Sequence, residues 1–558
     1  MKRLLTTVLF FVVITGFSQQ IPQKYFVAFT DKDGTPYSIS NPQAFLTQRA
    51  IDRRTAQGIP VIEEDLPVNP AYVTAVAATG VQVFTRCKWF NGITIRVTDT
   101  AVLPTISALS FVQSVTRVSS YNSKKSTISE QKFRLEEKNE LSGGNHEPKS
   151  PGSVQSYNYG PSYAQIHLLK GDVLHDMGYR GQGKVIAVLD AGFQNADVTP
   201  VFDSLRVNNQ ILGTRDFVNP GGNVYLEHYH GGAVLSTMGG NIPGQLIGTA
   251  PKASYWLIRT EDANTENIVE EYNWVVGAEM ADSVGADVIN SSLGYTEFDN
   301  GWMNHTCADM NGYTNPSTRG ANIAANKGMA LSISAGNEGG SSWTCISCPS
   351  DALDALSIGA VDSLGNYAYF SSTGIVNGDY VKPNIASMGL DCFVAYPDGS
   401  LGYGSGTSFA SPINAGMMAC LWQARPTLTQ EILRQVIEES ASQYTHPDYL
   451  LGYGIPNYAT ALTISKVGIQ SETSIQAYPN PFKDAFTLSF DTSMSGNFEI
   501  SLISVTGDLI LRTNRMILAG GGSTITLNNL INIAPGMHIL KISSENITEY
   551  LHLVKVEK

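Results

Sequence analysis

The fold is decided by one stretch of the sequence, Lys184-Val185-Ile186-Ala187-Val188-Leu189-Asp190. Its run of consecutive apolar residues predicts a strand that is buried on both faces. Helical stretches separate it from further short apolar runs at Tyr255–Ile258, Val288–Ile289, Ala330–Ser334 and Leu356–Ala360. Strands that alternate with helices predict βαβ units, so residues 157–466 are expected to form an α/β domain with a mainly parallel sheet sandwiched by helices.

The chain ahead of this domain opens with a pattern typical of a signal peptide. Lys2 and Arg3 precede a nearly continuous apolar run over residues 4–17, and small residues follow at the spacing that a signal peptidase needs. The alternative is a membrane anchor, but the run is short for a membrane span. Residues 1–18 are therefore predicted to be removed on export.

Residues 19–118 are predicted to form a small α+β unit. Strand patterns occur at Tyr25–Phe29, Val81–Phe84 and Gly92–Val97. Asn41-Pro42 is expected to open a helix that runs to about Arg54, with Asn as the cap and Pro at the first position. The next segment, residues 119–156, is rich in Ser, Lys, Glu, Asn and Gly, which predicts an exposed linker and a natural place for cleavage.

The last part of the chain, residues 471–558, has a strand pattern throughout. Apolar and polar residues alternate around Phe486–Phe490 and Phe498–Leu502, and shorter apolar groups follow at Ile525–Leu527 and Ile539–Ile542. Helical periodicity is absent. A C-terminal all-β sandwich of about ninety residues is the expected fold, a size typical of that class.

Composition and charge exclude some functions. The chain has 558 residues, 52 of them glycine, and 42% are hydrophobic, which indicates a globular chain of several domains. The formal net charge of −13 argues against a nucleic-acid binder, because phosphate contacts need clustered Lys and Arg. After the first residues, no transmembrane segment is expected.

Six cysteines are present: Cys87, Cys307, Cys345, Cys348, Cys392 and Cys420. Export permits disulfides. Cys345-Ile-Ser-Cys348 has the spacing of a redox or zinc pair, but the chain offers no second pair at zinc spacing and no redox βαβ context, which favours a structural disulfide. The sequence leaves the pairing open. Cys420 lies in an apolar helical stretch and is expected to be buried.

The strongest chemical signal is the segment Gly404-Ser405-Gly406-Thr407-Ser408-Phe409-Ala410-Ser411-Pro412. A glycine-rich turn delivers Ser408 to the start of an apolar helix, where free N–H groups and the positive end of the helix dipole favour developing negative charge. A nucleophile in acyl transfer needs that environment. Taken alone, a Gly-Thr-Ser tripeptide would favour a plain helix cap.

Three further segments carry weaker signals. Asp190 ends a buried strand at its carboxyl edge, where open α/β sheets place their sites. His230 begins a helix of small residues in His228-Tyr-His-Gly-Gly, and a metal site at His228 and His230 is disfavoured because no carboxylate or Cys stands at a convincing spacing. His228 is expected to be a flanking surface residue. Asn337 follows an apolar strand in Ser334-Ala-Gly-Asn-Glu-Gly and could donate its amide to an oxyanion.

Together, in the order Asp, His, Asn, Ser, these segments closely resemble the subtilisin family over residues 157–464. Gly248-Thr-Ala-Pro251 and Ser292-Leu293-Gly294 extend the resemblance. It implies a subtilisin-like fold with Asp190, His230 and Ser408 as a catalytic triad and Asn337 in the oxyanion hole. It also implies that Ser292, Leu293, Gly294, Ala335 and Gly336 line the substrate site. Two positions depart from the family pattern: Ala191 after the Asp, and Gly232-Ala233 after His-Gly.

The flanking regions also resemble known families. Phe29-Thr-Asp-Lys-Asp-Gly-Thr-Pro-Tyr37 and Gln48-Arg-Ala-Ile-Asp-Arg-Arg54 are similar to the inhibitory prodomains of exported subtilases of Bacteroidota. Tyr478-Pro-Asn-Pro-Phe482, at the head of the terminal sandwich, resembles the C-terminal sorting domain of the type IX secretion system. The resemblances imply a zymogen whose partners are its own prodomain, the secretion machinery and protein or peptide substrates. They place it outside the cell or at its surface, reached through the periplasm and the outer membrane.

No cofactor is expected for this chemistry. Structural calcium is common in the family that the chain resembles, but no ligand set is recognisable in the sequence. The function predicted is a secreted serine endopeptidase. The alternative is a surface binding or adhesion protein that retains the fold without catalysis, and the presence of all four groups speaks against it. A lipase is disfavoured, because Gly406-Thr-Ser-Phe-Ala410 is not Gly-x-Ser-x-Gly and the order of the groups differs.

Overall fold

The computed structural model describes residues 23–119, 132–133, 157–377, 380–465, 475–490, 495–504, 509–517, 524–544 and 548–556. The signal peptide expected at residues 1–18 and most of the linker expected at 119–156 lie outside the described residues. The chain divides into two compact units, residues 1–465 and 466–558. Within the described part of the chain, no helix has the length and apolar character needed to cross a membrane.

The N-terminal part of the first unit is a four-stranded antiparallel sheet with strand order β2-β3-β1-β4. Its strands are β1 (Gln23–Phe29), β2 (Gln82–Cys87), β3 (Gly92–Val97) and β4 (Val112–Arg117). Its α-helices are Gln48–Ala56, Pro70–Ala77 and Leu103–Ser107. The strand patterns in the sequence predicted three of the strands, and β3 has the predicted bounds.

Both faces of this small sheet are buried. Tyr25 and Val27 of β1 pack with the helix residues Val73 and Ile106 in one core. Phe26, which points to the opposite face because side chains alternate along a strand, packs 4.5 Å from the ring of Tyr272. The second face therefore lies against the α/β domain that follows in the chain.

The helix expected from Asn41 to Arg54 is wrong in its first half. Pro42–Ala44 is a short 3-10 helix, and the Asn41 side chain makes no capping bond. The α-helix begins only at Gln48, because the backbone of Thr47 is extended and its hydroxyl accepts a hydrogen bond from the amide of Ala50 at 3.3 Å. A second capping residue thus breaks the predicted helix in two.

The α/β domain contains a seven-stranded sheet in which every pairing is parallel, with the order β15-β12-β11-β10-β5-β9-β6. The strands of the domain are β5 (Val185–Asp190), β6 (Ile211–Asp216), β7 (Asn241–Ile242), β8 (Leu246–Ile247), β9 (Ser254–Arg259), β10 (Val288–Ser291), β11 (Ala330–Ser334), β12 (Leu356–Val361), β13 (Val376–Asn377), β14 (Tyr380–Val381), β15 (Ile385–Met388), β16 (Cys392–Ala395) and β17 (Leu401–Gly404). Its α-helices are Tyr163–His167, Gly171–Asp176, Asp203–Val207, His230–Gly239, Val269–Val284, Pro316–Asn326, Thr407–Ala424, Gln430–Glu439 and Tyr458–Ile464.

Helices cover both faces of this sheet, which confirms the predicted architecture. Ala187 and Leu189 of β5 share a buried cluster with residues of the helices Val269–Val284 and Pro316–Asn326. The long helix Thr407–Ala424 is buried along most of its length and packs against β10, β11, β12 and β15. Because β5 is covered on both sides, its side chains are apolar from Val185 to Leu189, as the opening stretch of the sequence indicated.

Strand β5 lies at the point where the strand order reverses. The chain leaves β5 for β6 on the far side of β9, returns to β9, and then continues to β10 on the other side of β5. At such a switch point the loops diverge and leave a crevice beyond the carboxyl ends of the strands, which is where α/β sheets bind their ligands. Asp190 is the last residue of β5 and therefore faces this crevice.

The second unit is composed of strands in its described residues, as the sequence predicted. They are β18 (Ile475–Tyr478), β19 (Phe486–Phe490), β20 (Gly496–Ser504), β21 (Leu509–Ile517), β22 (Thr524–Leu527), β23 (Gly536–Ser543) and β24 (Thr548–Lys555). They form two antiparallel sheets, β18-β19-β22 and β21-β20-β23-β24. Phe486 and Leu488 from one sheet share a buried core with Ile500 and Leu540 from the other, which is the packing expected of a sandwich.

Candidate active site

The structure brings Asp190 and His230 into direct contact. His230 Nδ1 lies 2.7 Å from Asp190 Oδ1, and both side chains are fully buried. A carboxylate oxygen accepts hydrogen bonds, so Nδ1 is the nitrogen that carries the proton. Gly231 is required beside them, because a Cβ at this position would stand 2.9 Å from the Cβ of Asp190. The His-Gly sequence thus lets the helix begin against the end of β5.

Ser408 lies at the same end of the sheet. It is the second residue of the helix Thr407–Ala424, as the glycine-rich turn predicted, and it is 5% exposed. Its hydroxyl donates to the carbonyl of Ser292 at 3.3 Å, and its own carbonyl accepts from the hydroxyl of Ser292 at 2.8 Å. The ring of Phe409, the next residue, lies 6.3 Å from the ring of His230. The helix start therefore places the residue that follows Ser408 beside the imidazole.

Asn337 is held by the residue that precedes Ser408. Its Oδ1 accepts hydrogen bonds from the Thr407 amide at 2.8 Å and from the Thr407 hydroxyl at 3.0 Å. With the amide oxygen directed at Thr407, the NH₂ group lies on the other side of the amide carbon. Sequence reasoning assigned no role to Thr407, although it stands within the quoted motif, because a Thr beside a nucleophile has no chemical signature of its own.

Three of the five residues expected to line the substrate site border one cleft. Ser292, Gly294, Gly336 and Asn337 line it together with Ser408. Gly336 has φ +114°, a conformation that favours glycine, and its amide donates to the Thr407 hydroxyl at 3.2 Å.

Two of the expected residues lie apart from the lining. Leu293 is 1% exposed and packs in the domain core. Ala335 is fully buried and is held in place by its backbone, whose amide donates to the Ile358 carbonyl. Both residues are buried next to residues of the cleft and do not line it.

Two residues from the segment 119–156 also border this cleft. Lys132 and Phe133 line it beside Ser408. The ring of Phe133 lies 5.0 Å from the ring of His230 and 4.5 Å from that of His228, and Phe133 is 6% exposed. The sequence analysis assigned no function to either residue. The signal available was a Lys-Phe pair that interrupts a polar stretch.

His228 is half-buried and its ring packs on Phe133, so it is a surface residue only in part. Phe133 is distant from His228 in the sequence, so no local pattern predicts this contact. The rings of His228 and His230 lie 6.5 Å apart. Each packs on Phe133, which gives His228 a role in seating that side chain.

Two groups of potential metal ligands occur among the described residues. In the first, His305 Nε2 lies 2.7 Å from Glu271 Oε1, Ser317 donates its hydroxyl to Glu271 Oε2 at 2.7 Å, and the buried thiol of Cys348 lies beside them. Protein donors already bind both oxygens of Glu271. The second group consists of Glu261, Glu266 and Glu270, and Lys132 forms ion pairs with the first two. The sequence did not identify either group, since its members come together only in the folded chain.

The disulfide does not join Cys345 to Cys348. Cys345 is bonded to Cys307, and Cys348 is a buried thiol whose pKa is raised well above its usual value by burial. The Cys348 thiol donates to the carbonyl of Tyr295 at 3.3 Å, which turns it away from Cys345. Cys420 is buried, as expected.

The N-terminal domain is attached to the α/β domain by buried polar contacts. Glu279 accepts hydrogen bonds from the backbone amides of Lys88 and Trp89, both at 2.9 Å. Asp282, three residues later on the same helix, accepts from the guanidinium groups of Arg53 and Arg54 at 2.6 and 2.7 Å. One face of a single helix therefore receives both the sheet and the first helix of the N-terminal domain.

Comparison with known families gives three matches along the chain. Residues 24–133 match the peptidase S8 propeptide domain of Bacteroidota, residues 181–454 match the subtilase family, and residues 476–556 match the secretion system C-terminal sorting domain. The first match ends at Phe133, whereas the sequence analysis ended this domain at residue 118. The two residues that reach the cleft thus lie at the end of the propeptide match.

Curated relatives match over about half of the chain. Subtilisin E of Bacillus subtilis (strain 168) is 29% identical over 312 residues, which cover 55% of this chain and 72% of the relative. The subtilisin of Bacillus pumilus is 29% identical over 312 residues, covering 55% of this chain and 99% of the relative. The thermophilic serine proteinase of Bacillus sp. (strain AK1) is 28% identical over 311 residues, covering 55% and 68%.

Proposed function

The chain belongs to the subtilase family of S8 peptidases, and on that premise we propose that it is a secreted serine endopeptidase. Its catalytic groups in this proposal are Asp190, His230 and Ser408. The observation that carries it is the 2.7 Å contact between Asp190 Oδ1 and His230 Nδ1 beside a serine at the start of a buried helix. Few arrangements other than nucleophilic acyl transfer need a buried carboxylate, an imidazole and such a serine together.

The proposed reaction begins at Ser408. With the proton on Nδ1, the neutral imidazole of His230 presents the lone pair of Nε2, which takes the proton of the Ser408 hydroxyl as it attacks the substrate carbonyl. Asp190 holds this tautomer and stabilises the imidazolium that forms. His230 then donates the proton to the leaving amine, and water hydrolyses the acyl group on Ser408 in a second cycle of the same steps.

Negative charge on the attacked oxygen is stabilised by two donors in this mechanism. One is the Asn337 NH₂ group, whose orientation follows from the bonds that Thr407 makes to the amide oxygen. The other is the backbone N–H of Ser408 at the helix start, where the dipole of the helix adds to the effect. Thr407 is a positioning residue in this scheme.

The precursor is proposed to be inactive. Phe133 lies against the ring of His230, and Lys132 and Phe133 occupy the cleft that a substrate must enter. Removal of the propeptide and these residues would open it. The sorting domain supports delivery to the cell surface or the medium, with passage through the periplasm as the proposed route.

The experiment that tests this proposal compares the wild-type chain with Ser408→Ala. We expect the wild type to lose its propeptide, hydrolyse casein and react with a serine-directed phosphonate, and the variant to do none of these. Ser405→Ala is the matched control. It removes a hydroxyl from the same turn, and this hydroxyl accepts a hydrogen bond from the Asp391 amide. Folded wild-type protein that has been freed of its residues before about 157 and is inert to both reagents would refute the proposal. It would favour a binding protein with the same fold.

A further inference from the structure

Lys132 inserts its side chain into a pocket of three carboxylates beside the triad. Its ammonium lies 2.8 Å from Glu266 Oε1, forms a second ion pair with Glu261, and stands 4.8 Å over the ring of Tyr295. The side-chain oxygens of Glu261, Glu266 and Glu270 lie within 4.8 Å of one another. All three side chains are buried, with at most 1% of each exposed.

The fold places this pocket next to the catalytic groups. Arg259, the last residue of β9, pairs in register with Asp190 of β5, and Glu261 follows two residues later. Tyr295 directly follows the cleft residue Gly294. Phe133, the neighbour of Lys132, lies against His230. The residue that follows Lys132 therefore lies beside His230.

A buried cluster of three carboxyl groups needs protons or a cation to offset its negative charge. Burial of like charges without compensation is costly, and the usual relief is protonation or ion pairing. Burial and the neighbouring carboxylates raise the pKa of Glu270 well above its usual value. Burial lowers the pKa of the Lys132 ammonium, but the charges of Glu261, Glu266 and Glu270 outweigh that effect and raise it, so this lysine stays charged.

The cation that the pocket fits is organic and not a metal ion. Calcium takes six to eight oxygen ligands, whereas one wall here is the face of Tyr295. An aromatic face attracts an ammonium or guanidinium group and adds a cation–π contact to the ion pairs. The position of Lys132 is an independent observation of such a group in the pocket. Removal of the propeptide segment would take this cation away and leave the carboxylates facing the cleft.

We propose that Glu261, Glu266 and Glu270 form a substrate subsite for the side chain of Lys or Arg, and that Lys132 fills this subsite in the precursor. The inference rests on the proposed function, since it names the peptides that the enzyme cleaves. It predicts that the enzyme cuts near a basic residue placed on the amino-terminal side of the scissile bond. The reason is that Phe133, the residue that follows Lys132, lies against His230.

The first test needs no variant. A peptide library is cleaved with the secreted wild-type enzyme to find the position at which a basic residue is enriched. Three peptides are then compared with Lys, Nε-acetyl-lysine or norleucine at that position. We expect kcat/KM for the Lys peptide to exceed that for the other two by about 100-fold, the range measured when a buried charge loses its partner.

The second test removes a negative charge from the enzyme. Glu261→Gln and Glu266→Gln keep the shape of the side chains, and we expect each to reduce the ratio of kcat/KM for the Lys peptide to that for the acetyl-lysine peptide by at least about tenfold. Glu297→Gln is the matched control, because Glu297 is exposed on the same stretch of chain as Tyr295 and should leave the ratio unchanged.

The outcomes separate this inference from the function on which it rests. Casein hydrolysis without enrichment of Lys or Arg at any position would overturn the subsite and leave the peptidase assignment intact. So would a basic preference that persists in both Gln variants. A wild-type enzyme that is inert to casein and phosphonate would overturn the peptidase assignment, and the subsite with it. Enrichment that is lost in the Gln variants and kept in Glu297→Gln supports the proposal.

Discussion

Arg54 Nη2 lies 2.7 Å from Asp282 Oδ2, and this contact joins the propeptide domain to the peptidase domain. The same guanidinium binds both oxygens of Asp65 at 2.9 Å. Burial raises the pKa of Asp282, but the charges of Lys88, Arg53 and Arg54 outweigh it and lower this pKa to about 2. Asp282 therefore stays ionised, and its charge is satisfied largely by the domain that is later removed.

Loss of Arg54 should loosen the precursor. Arg54→Met in the Ser408→Ala background removes the guanidinium that binds both oxygens of Asp65 and one of the cations that pair with Asp282. Removal of one member of a buried ion pair typically costs about 3 kcal/mol. We expect the urea midpoint for unfolding of the full chain to fall accordingly. Arg96→Met is the control, because Arg96 is exposed on the same domain and its removal should change little. Equal midpoints for the two variants would contradict the role given to Arg54.

Asn337→Leu should lower kcat and leave KM nearly unchanged. The NH₂ group is needed only when negative charge develops on the substrate oxygen, and removal of one such donor costs about 10²–10³ in kcat. Thr407→Val should give a smaller loss, because it removes one of the two bonds that orient Asn337. Steady-state kinetics on one peptide substrate measure both. A KM effect without a kcat effect in Asn337→Leu would place this side chain in substrate binding instead.

The buried His175 should make the protein sensitive to acid. The Thr249 carbonyl, 2.8 Å from Nε2, accepts a hydrogen bond from the Nε2–H group, so Nδ1 accepts from the Tyr159 hydroxyl at 2.9 Å and the ring is neutral. Burial lowers the pKa of His175 from 6.5 to about 4. Between these values the unfolded chain binds the proton more readily, so the free energy of unfolding should decrease as the pH falls from 6.5 to 4.

This decrease should reach about 3 kcal/mol for the one group. Urea unfolding of the Ser408→Ala chain at pH 6.5, 5 and 4 measures it. His175→Gln should flatten the dependence, while His446→Gln, at an exposed position, should keep it. The same pH dependence in all three proteins would mean that other groups cause it.

The disulfide between Cys307 and Cys345 can be mapped directly. Alkylation of the unfolded, unreduced protein should label Cys348 and leave Cys345 bound to the peptide that contains Cys307. The bond closes a loop with a sequence separation of 38 residues, so replacement of both cysteines by serine should cost about 3 kcal/mol of stability. Recovery of a Cys345–Cys348 bond in the wild type would contradict the structure.

The C-terminal sorting domain should be required for release from the cell. Deletion of residues 471–558 is expected to leave the peptidase in the periplasm of a Bacteroidota host, as measured by immunoblot of the periplasmic fraction and the medium. The full-length Ser408→Ala chain should still be exported, which separates sorting from catalysis. Undiminished release of the truncated chain would show that another signal directs export.

The sequence alone predicts the proposed triad, because each of its residues lies in a short, recognisable sequence pattern. A strand that ends in Asp, a His-Gly at a helix start and a serine after a glycine-rich turn are short patterns, and each depends on contacts within a few residues. The order of these groups along the chain then supplied the family. The later helix start at Thr47 was missed because Asn41-Pro42 offered a competing local start signal. The partner of Cys345 was missed because it depends on packing between distant segments.

The sequence by itself determined the α/β and β-sandwich architecture, the proposed catalytic groups and the order of the domains, since periodicity and local motifs encode these. Only the tertiary structure showed that Lys132 and Phe133 reach the cleft and that Glu261, Glu266 and Glu270 surround the lysine. More than a hundred residues separate Lys132 from these carboxylates, and each residue alone has the sequence signature of an ordinary surface charge. Their burial together depends on where β9 ends and where the helix Val269–Val284 begins, which no local pattern specifies.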